Sequence, residues 1–170
     1  MLKSVLYHIT VVLSLIFFSC AGRNNNQSDK VFAVCTIETV SPYGCYQEIK
    51  ITSNGESYLK SGLYSGSIKD ETVSLDTVFS VDSFYLQKED LKNVHNVIAS
   101  ILKKENIKGA AKTDTYRHKL FIDGVSKIDI YGLSKDLQEL LKHVINYLPP
   151  SNEKCEFFEL FKKSISSPSQ

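Results

Sequence analysis

"LFIDGVSKIDIYGLSKDLQELLKHVINYLPP", residues 120–150, holds a hairpin and a helix in one stretch, and the change of period between them decides the fold. Leu120 and Ile122 alternate before Asp123-Gly124, and Ile128 and Ile130 alternate after it, the period-two pattern of strands with one buried side. Asp-Gly accepts positive φ and marks the turn. For Leu120 to face Ile128 with Ile122 on the same side, the register asks for an odd loop, so a three-residue turn is expected. From Ser134 the period lengthens: Leu137, Leu140, Leu141, Val144, Ile145 and Leu148 line one helical face. Ser134 suits the N-cap, Asp136 the first turn, and Pro149-Pro150 the stop. A striped helix that follows a hairpin buries its stripe on the sheet, which places the chain in the α+β class.

Working outward, "VFAVCTIETV" (31–40) is rich in β-branched residues and reads as a first strand, and "SPYG" (41–44) as a type I turn. Residues 45–52 read as a second strand. Asn54-Gly55 reads as a hairpin signal and 57–60 as the returning strand. Residues 61–76 lack a clear period and read as a long loop, and 77–86 have strand composition. Leu91, Val94, His95, Ile98, Ile101 and Leu102 then share a helical face, with Glu89 and Asp90 at the start and Lys103 and Lys104 at the end. Downstream, Phe158, Phe161 and Ile165 fall at helical spacing, with Glu153, Glu156 and Glu159 on the polar side. The expected architecture is an antiparallel sheet of about five strands, in ββ-β-α-ββ-α order, with two main helices on one face and a short C-terminal helix. It occupies 31–165 as a single domain, and 166–170 should fray.

The chain has 170 residues, with 20 Lys plus Arg against 19 Asp plus Glu, so no basic excess favours nucleic acid. Ahead of the domain, Lys3 is followed by an apolar run from Val5 to Phe18. That run falls short of the roughly 20 residues that a membrane span needs, and with its cationic start it reads as a secretory signal over 1–19. Residues 21–29 contain no strong apolar residue, as a solvated tether would.

Phe17, Phe18, Ser19 and Cys20 resemble a bacterial lipoprotein signal, in which a cysteine after a small residue is lipidated and becomes the first residue of the mature chain. The resemblance implies a diacylglycerol thioether and an amide-linked acyl chain such as palmitate on Cys20, a stable anchor because it has several chains. It also implies a cell-envelope location, with 20–30 as lipidated cysteine and tether. Ala21 does not resemble the Asp that retains some lipoproteins in the inner membrane, which favours the outer one. Residues 31–148 resemble a domain of unknown function found in small bacterial lipoproteins. That domain opens on C-x-G-x-C-P-x-Y before a hairpin and ends on a D-G hairpin and a helix. Gly44 and Cys45 match here, Tyr46 replaces the Pro, and the resemblance implies no activity.

Cys35, Cys45 and Cys155 are candidate disulfide partners or thiols. An exported chain can oxidise, yet spacing does not choose among the three pairings or none. Tyrosine is in excess, 9 against no Trp. Tyr43, Tyr46, Tyr58 and Tyr64, with Tyr85, cluster in the strand-rich half as a candidate recognition surface, or simply as good strand formers. His95, His118 and His143 show no metal-ligand spacing, no G-x-S-x-G is present, and no glycine-rich phosphate loop appears. The reading is therefore a membrane-anchored envelope lipoprotein with a non-catalytic binding domain, no metal and no cofactor, recognising a protein or another envelope component. The alternatives are an inhibitor or immunity-type protein, and an extracytoplasmic enzyme using Cys45.

Overall fold

The computed structural model describes residues 31–69, 73–110, 114–150 and 155–166. The expectations for the signal, for Cys20, for the tether, for Glu153 and for the tail at 167–170 lie outside the described residues. In chain order the elements are β1 (Val34–Val40), β2 (Cys45–Thr52), β3 (Glu56–Ser65), β4 (Ser74–Tyr85), α1 (Lys88–Leu102), β5 (Ile107–Lys108), β6 (Arg117–Ile122), β7 (Val125–Tyr131), α2 (Lys135–Lys142), a 3-10 turn (Ile145–Tyr147) and α3 (Phe157–Ser166).

The α+β class holds, but the sheet is larger than expected and mixed. It has seven strands in the order β4-β3-β2-β1-β6-β7-β5, and β5 lies parallel to β7 while every other pair is antiparallel. Two residues of β5 are too few to show alternation. The long loop expected over 61–76 is also shorter, because β3 continues to Ser65 and β4 begins at Ser74. Its Ser/Gly composition reflects register shifts in the β3–β4 ladder, between Ser61 and Gly62 and between Leu63 and Tyr64. A Cβ at Gly62 would collide with Thr77 O, so glycine there is a requirement of close strand approach rather than a mark of a loop.

The Asp123-Gly124 turn is shorter than the three residues expected. Asp123 (φ 50°) and Gly124 (φ 80°) make a two-residue turn between Ile122 and its partner Val125, the positive-φ pair of a type I′ hairpin. Leu120 still faces Ile128, because a shift between Leu120 and Phe121 places one extra residue on β7. The bulge, not an odd loop, reconciles turn and register. At the other hairpin only Gly55 has positive φ, 93°, and Gly55 N donates to Thr52 O at 3.0 Å in a longer connection.

Alternation places Cys35, Ile37, Ile49, Ile51, Leu59, Leu120, Ile122 and Ile128 on the inner face, all buried. They share one core with Val94, Ile98 and Ile101 of α1, Leu137, Leu140 and Leu141 of α2, and Phe158 and Phe161 of α3. Leu137 N donates to Ser134 Oγ at 3.2 Å, the expected N-cap. The apolar stripe outlives its helix: α2 ends at Lys142, and Val144 and Ile145 reach the core through the turn and the 3-10 segment ahead of Pro149-Pro150. Lys104 Nζ and Asp136 Oδ1, 2.7 Å apart, tie the end of α1 to the start of α2. Among the described residues no helix is long and apolar enough to cross a membrane.

Candidate functional site

The second face of the sheet, turned away from the helices, carries the side chains between the core positions. Its central feature follows from register. Lys60 pairs with Glu48, Glu48 with Glu38, Glu38 with Lys119, Lys119 with Asp129, and Asp129 with Lys108, so these six charged side chains stand in one row across the strands from β3 to β5. Two carboxylates, Glu38 and Glu48, are neighbours at its middle.

The tyrosines brace this row. Tyr46 Oη donates to Glu48 Oε2 at 2.9 Å and Tyr58 Oη to Glu48 Oε1 at 3.1 Å, so both oxygens of one carboxylate are engaged. Lys50 Nζ lies 5.6 Å from the centroid of the Tyr58 ring, within cation–π range. Burial, and then the Glu48 charge, push the Tyr58 hydroxyl up to about 12. Tyr46 rises further, with burial first and Glu38 second among the causes. Glu38 is held above the usual carboxylate range by burial; Lys119 opposes the rise and Glu48 adds to it. A carboxylate that is half out of water beside another carboxylate resists ionisation.

At one end of the face, Arg117 forms a bidentate pair with Asp129, Nε to Oδ1 at 2.8 Å and Nη2 to Oδ2 at 2.9 Å. The Asp129 hydrogen bond leads the causes that raise the guanidinium. Arg117 Nη1 and Tyr131 Oη both donate to Ile68 O, at 2.9 and 3.0 Å, and pin the chain after β3 across the sheet. Beside this latch an open cavity of about 390 Å³ is lined by Glu38, Val73, Lys108, Lys119, Phe121, Ser126 and Asp129. Charges of both signs next to an aromatic ring can orient a polar ligand.

One position along each strand, on the inner face, lies a second row: Ser61, Gln47, Thr39 and His118, all buried. Thr39 Oγ1 and His118 Nδ1 are 3.1 Å apart, and the Phe157 ring lies 4.7 Å from the imidazole. Burial alone lowers His118 to about 4, so the ring is neutral at neutral pH.

The sequence-predicted residues separate. Tyr43 is 86% exposed at the β1–β2 turn, whereas Tyr46 is 6% exposed on the sheet face, so they do not share a surface. Tyr58 and Tyr64 are half-buried, and Tyr64 Oη donates to Ser41 O at 2.9 Å. Cys45 and Cys155, 110 positions apart in sequence, form a disulfide. Cys35 is free and buried, and burial with the Asp123 charge pushes its thiol up. Cys45, the nucleophile of the enzyme alternative, therefore carries no thiolate here. His95 lies at the core rim against Phe32, with ring centroids 4.7 Å apart. His143 lies at the end of α2, 3.5 Å from Asp90. Among the described residues no three His, Cys, Asp or Glu side chains converge as a metal site.

Glu38, Glu48, Lys119 and Asp129 were not singled out by sequence reasoning. Each adjoins an apolar inner-face position (Ile37, Ile49, Leu120 and Ile128), which marks it as outward-facing, but only the register shows that they form one row. No protein-family model, no curated protein and no solved structure matches the chain.

Proposed function

We propose that this protein is a lipid-anchored component of the bacterial cell envelope, more fitted to the outer membrane than the inner, whose α+β domain binds a protein or another envelope component without catalysis. The observation that carries the binding reading is the second face of the sheet: charged residues standing in one row, braced by Tyr46 and Tyr58 and bordered by an open cavity. Side chains already held by hydrogen bonds lose little freedom when a ligand docks. The Cys45–Cys155 bridge supports the compartment, because such bonds persist outside the reducing cytosol. The Ser19-Cys20 pattern supports the anchor.

Two measurements test the reading. The intact mass of detergent-extracted native protein should correspond to a chain that begins at Cys20 with acyl mass, lost in Cys20→Ser. A photo-crosslinker at Lys50 or Lys60, at native expression, should yield a discrete adduct that the same probe at Lys92 on α1 does not. A non-lipidated chain, or adducts only from α1, would overturn it.

A further inference from the structure

The two edges of the sheet are finished differently. The β5 edge is blunt: two residues long, ending in the exposed Lys108. The β4 edge runs for 12 residues, SLDTVFSVDSFY, with no Lys, Arg or Pro, and spans about 40 Å at strand rise. Among the described residues no strand pairs with its outer side. Natural edges of this length are ordinarily interrupted by lysine or proline, because a row of unpaired N–H and C=O groups is a template for another strand.

The protection present on β4 is selective. Both bulges lie in its own N-terminal half, with Asp76 and Phe79 as the extra residues, which leaves Ser80 to Tyr85 regularly paired with β3. Within this stretch Val81, Ser83 and Tyr85 point to the same side as Lys60, Tyr58 and Glu56, and Val81 and Tyr85 are 59% and 62% exposed. Val78 adds a further side chain at 49% exposure. The charged residues of β4 are Asp76 and Asp82 alone. Asp82 pairs with Leu59 and shares its inner side, the placement by which an inward charge discourages neutral strands. A strand that brought a cation beside it would meet no such obstacle.

Resting on the binding reading above, we infer that β4 is the docking edge of this domain and that its occupant is an extended segment of a partner protein carrying Lys or Arg at alternate positions, added as an eighth strand. Backbone pairing along Ser80–Tyr85 supplies affinity, and apolar side chains of the segment cover Val81 and Tyr85. Cations on its other side neutralise Asp82. Charge complementarity selects this occupant over a second copy of the chain, which would lay one acidic strand beside another.

The test uses the full-length protein in mild detergent and two eight-residue probe peptides, Lys-Val-Lys-Val-Lys-Val-Lys-Val and the same peptide with Glu for Lys. Hydrogen exchange is followed over 74–86 and over α1. The Lys peptide should slow exchange over 80–85 by about tenfold, leave α1 unchanged, and lose its effect in Val81→Lys, an exposed position that tolerates the change. Asp82→Lys should weaken the Lys peptide and admit the Glu peptide. Equal protection by both peptides would overturn the charge assignment, and protection by neither would overturn strand addition. A concentration-dependent dimer that protects 80–85 without peptide would make the second copy the occupant and overturn the inference. If Val81→Lys leaves the crosslinks from Lys50 and Lys60 intact, strand addition falls while the binding reading stands; if those probes give no adduct in any variant, the binding reading itself falls.

Discussion

The inner row Ser61-Gln47-Thr39-His118 and the outer row Lys60-Glu48-Glu38-Lys119 are immediate neighbours in the same four strands. The inner row is uncharged and closed over by the aromatic residues of α3, with Phe157 against His118. The outer row is charged and held by its own tyrosines. Both rows are polar, so polarity alone does not distinguish a binding face from a buried one. Charge does: neutral groups can be buried at modest cost when they bond one another, whereas ionised groups must stay near water or pair.

That contrast can be broken or sharpened by substitution. The largest effect is expected where the inner face is fastened. Replacing Cys45 and Cys155 together by Ala opens a cross-link spanning 110 residues and should cost about 4 kcal/mol in denaturant unfolding. Leu120→Ala, at a fully buried inner position, should cost about 3 kcal/mol, and Phe121→Ala on the outer face about 1 kcal/mol. Equal losses at 120 and 121 would erase the distinction between faces.

A smaller effect should appear as a pH dependence. His118 is lowered to about 4 in the folded state, below the ordinary value near 6.5, so the unfolded chain takes up its proton first. Stability present above about pH 6.5 is therefore lost as pH falls toward 4, by about 2 kcal/mol at pH 5. Glu38 has the opposite sign: its carboxyl is raised, so protonation favours the folded state and offsets part of the loss. Thermal unfolding from pH 7 to 5 should show a steeper decline in the parent than in His118→Gln. The smallest changes should be gains. Ser61 Oγ is buried without a hydrogen-bond partner among the described residues, so Ser61→Ala should stabilise by about 0.5 kcal/mol. Glu38→Gln, which removes a like charge opposite Glu48, should give a similar gain in the same assay at pH 7.

The fold was legible where pattern is local. Leu120, Ile122 and Ile128 marked an inner face by alternation alone, and Ser134 marked a helix start by its hydroxyl. What escaped depended on strand partners. The bulge opposite Leu120–Phe121 leaves no trace in composition, so the two-residue turn seemed to conflict with the apolar register. Gly62 looked like loop because its reason, the Thr77 carbonyl, lies on another strand. The candidate site was less legible still: Tyr46 and Tyr58 could be singled out, but Glu48, the acceptor they share, had no mark of its own. Nor could spacing choose Cys155 as the partner of Cys45.

The entry of the chain into the sheet has a mechanical consequence. Asp123 Oδ1 accepts from Ala33 N at 2.9 Å and from Val34 N at 2.8 Å, so the tip of the β6–β7 hairpin grips the start of β1, the middle strand of the sheet. A pull applied through the chain ahead of Val31 runs along an axis bonded on both flanks, to β2 and to β6. Such a load shears two ladders at once instead of peeling one bond after another. A tug that would unzip an edge strand would, applied at Val31, have to slide the centre of the sheet.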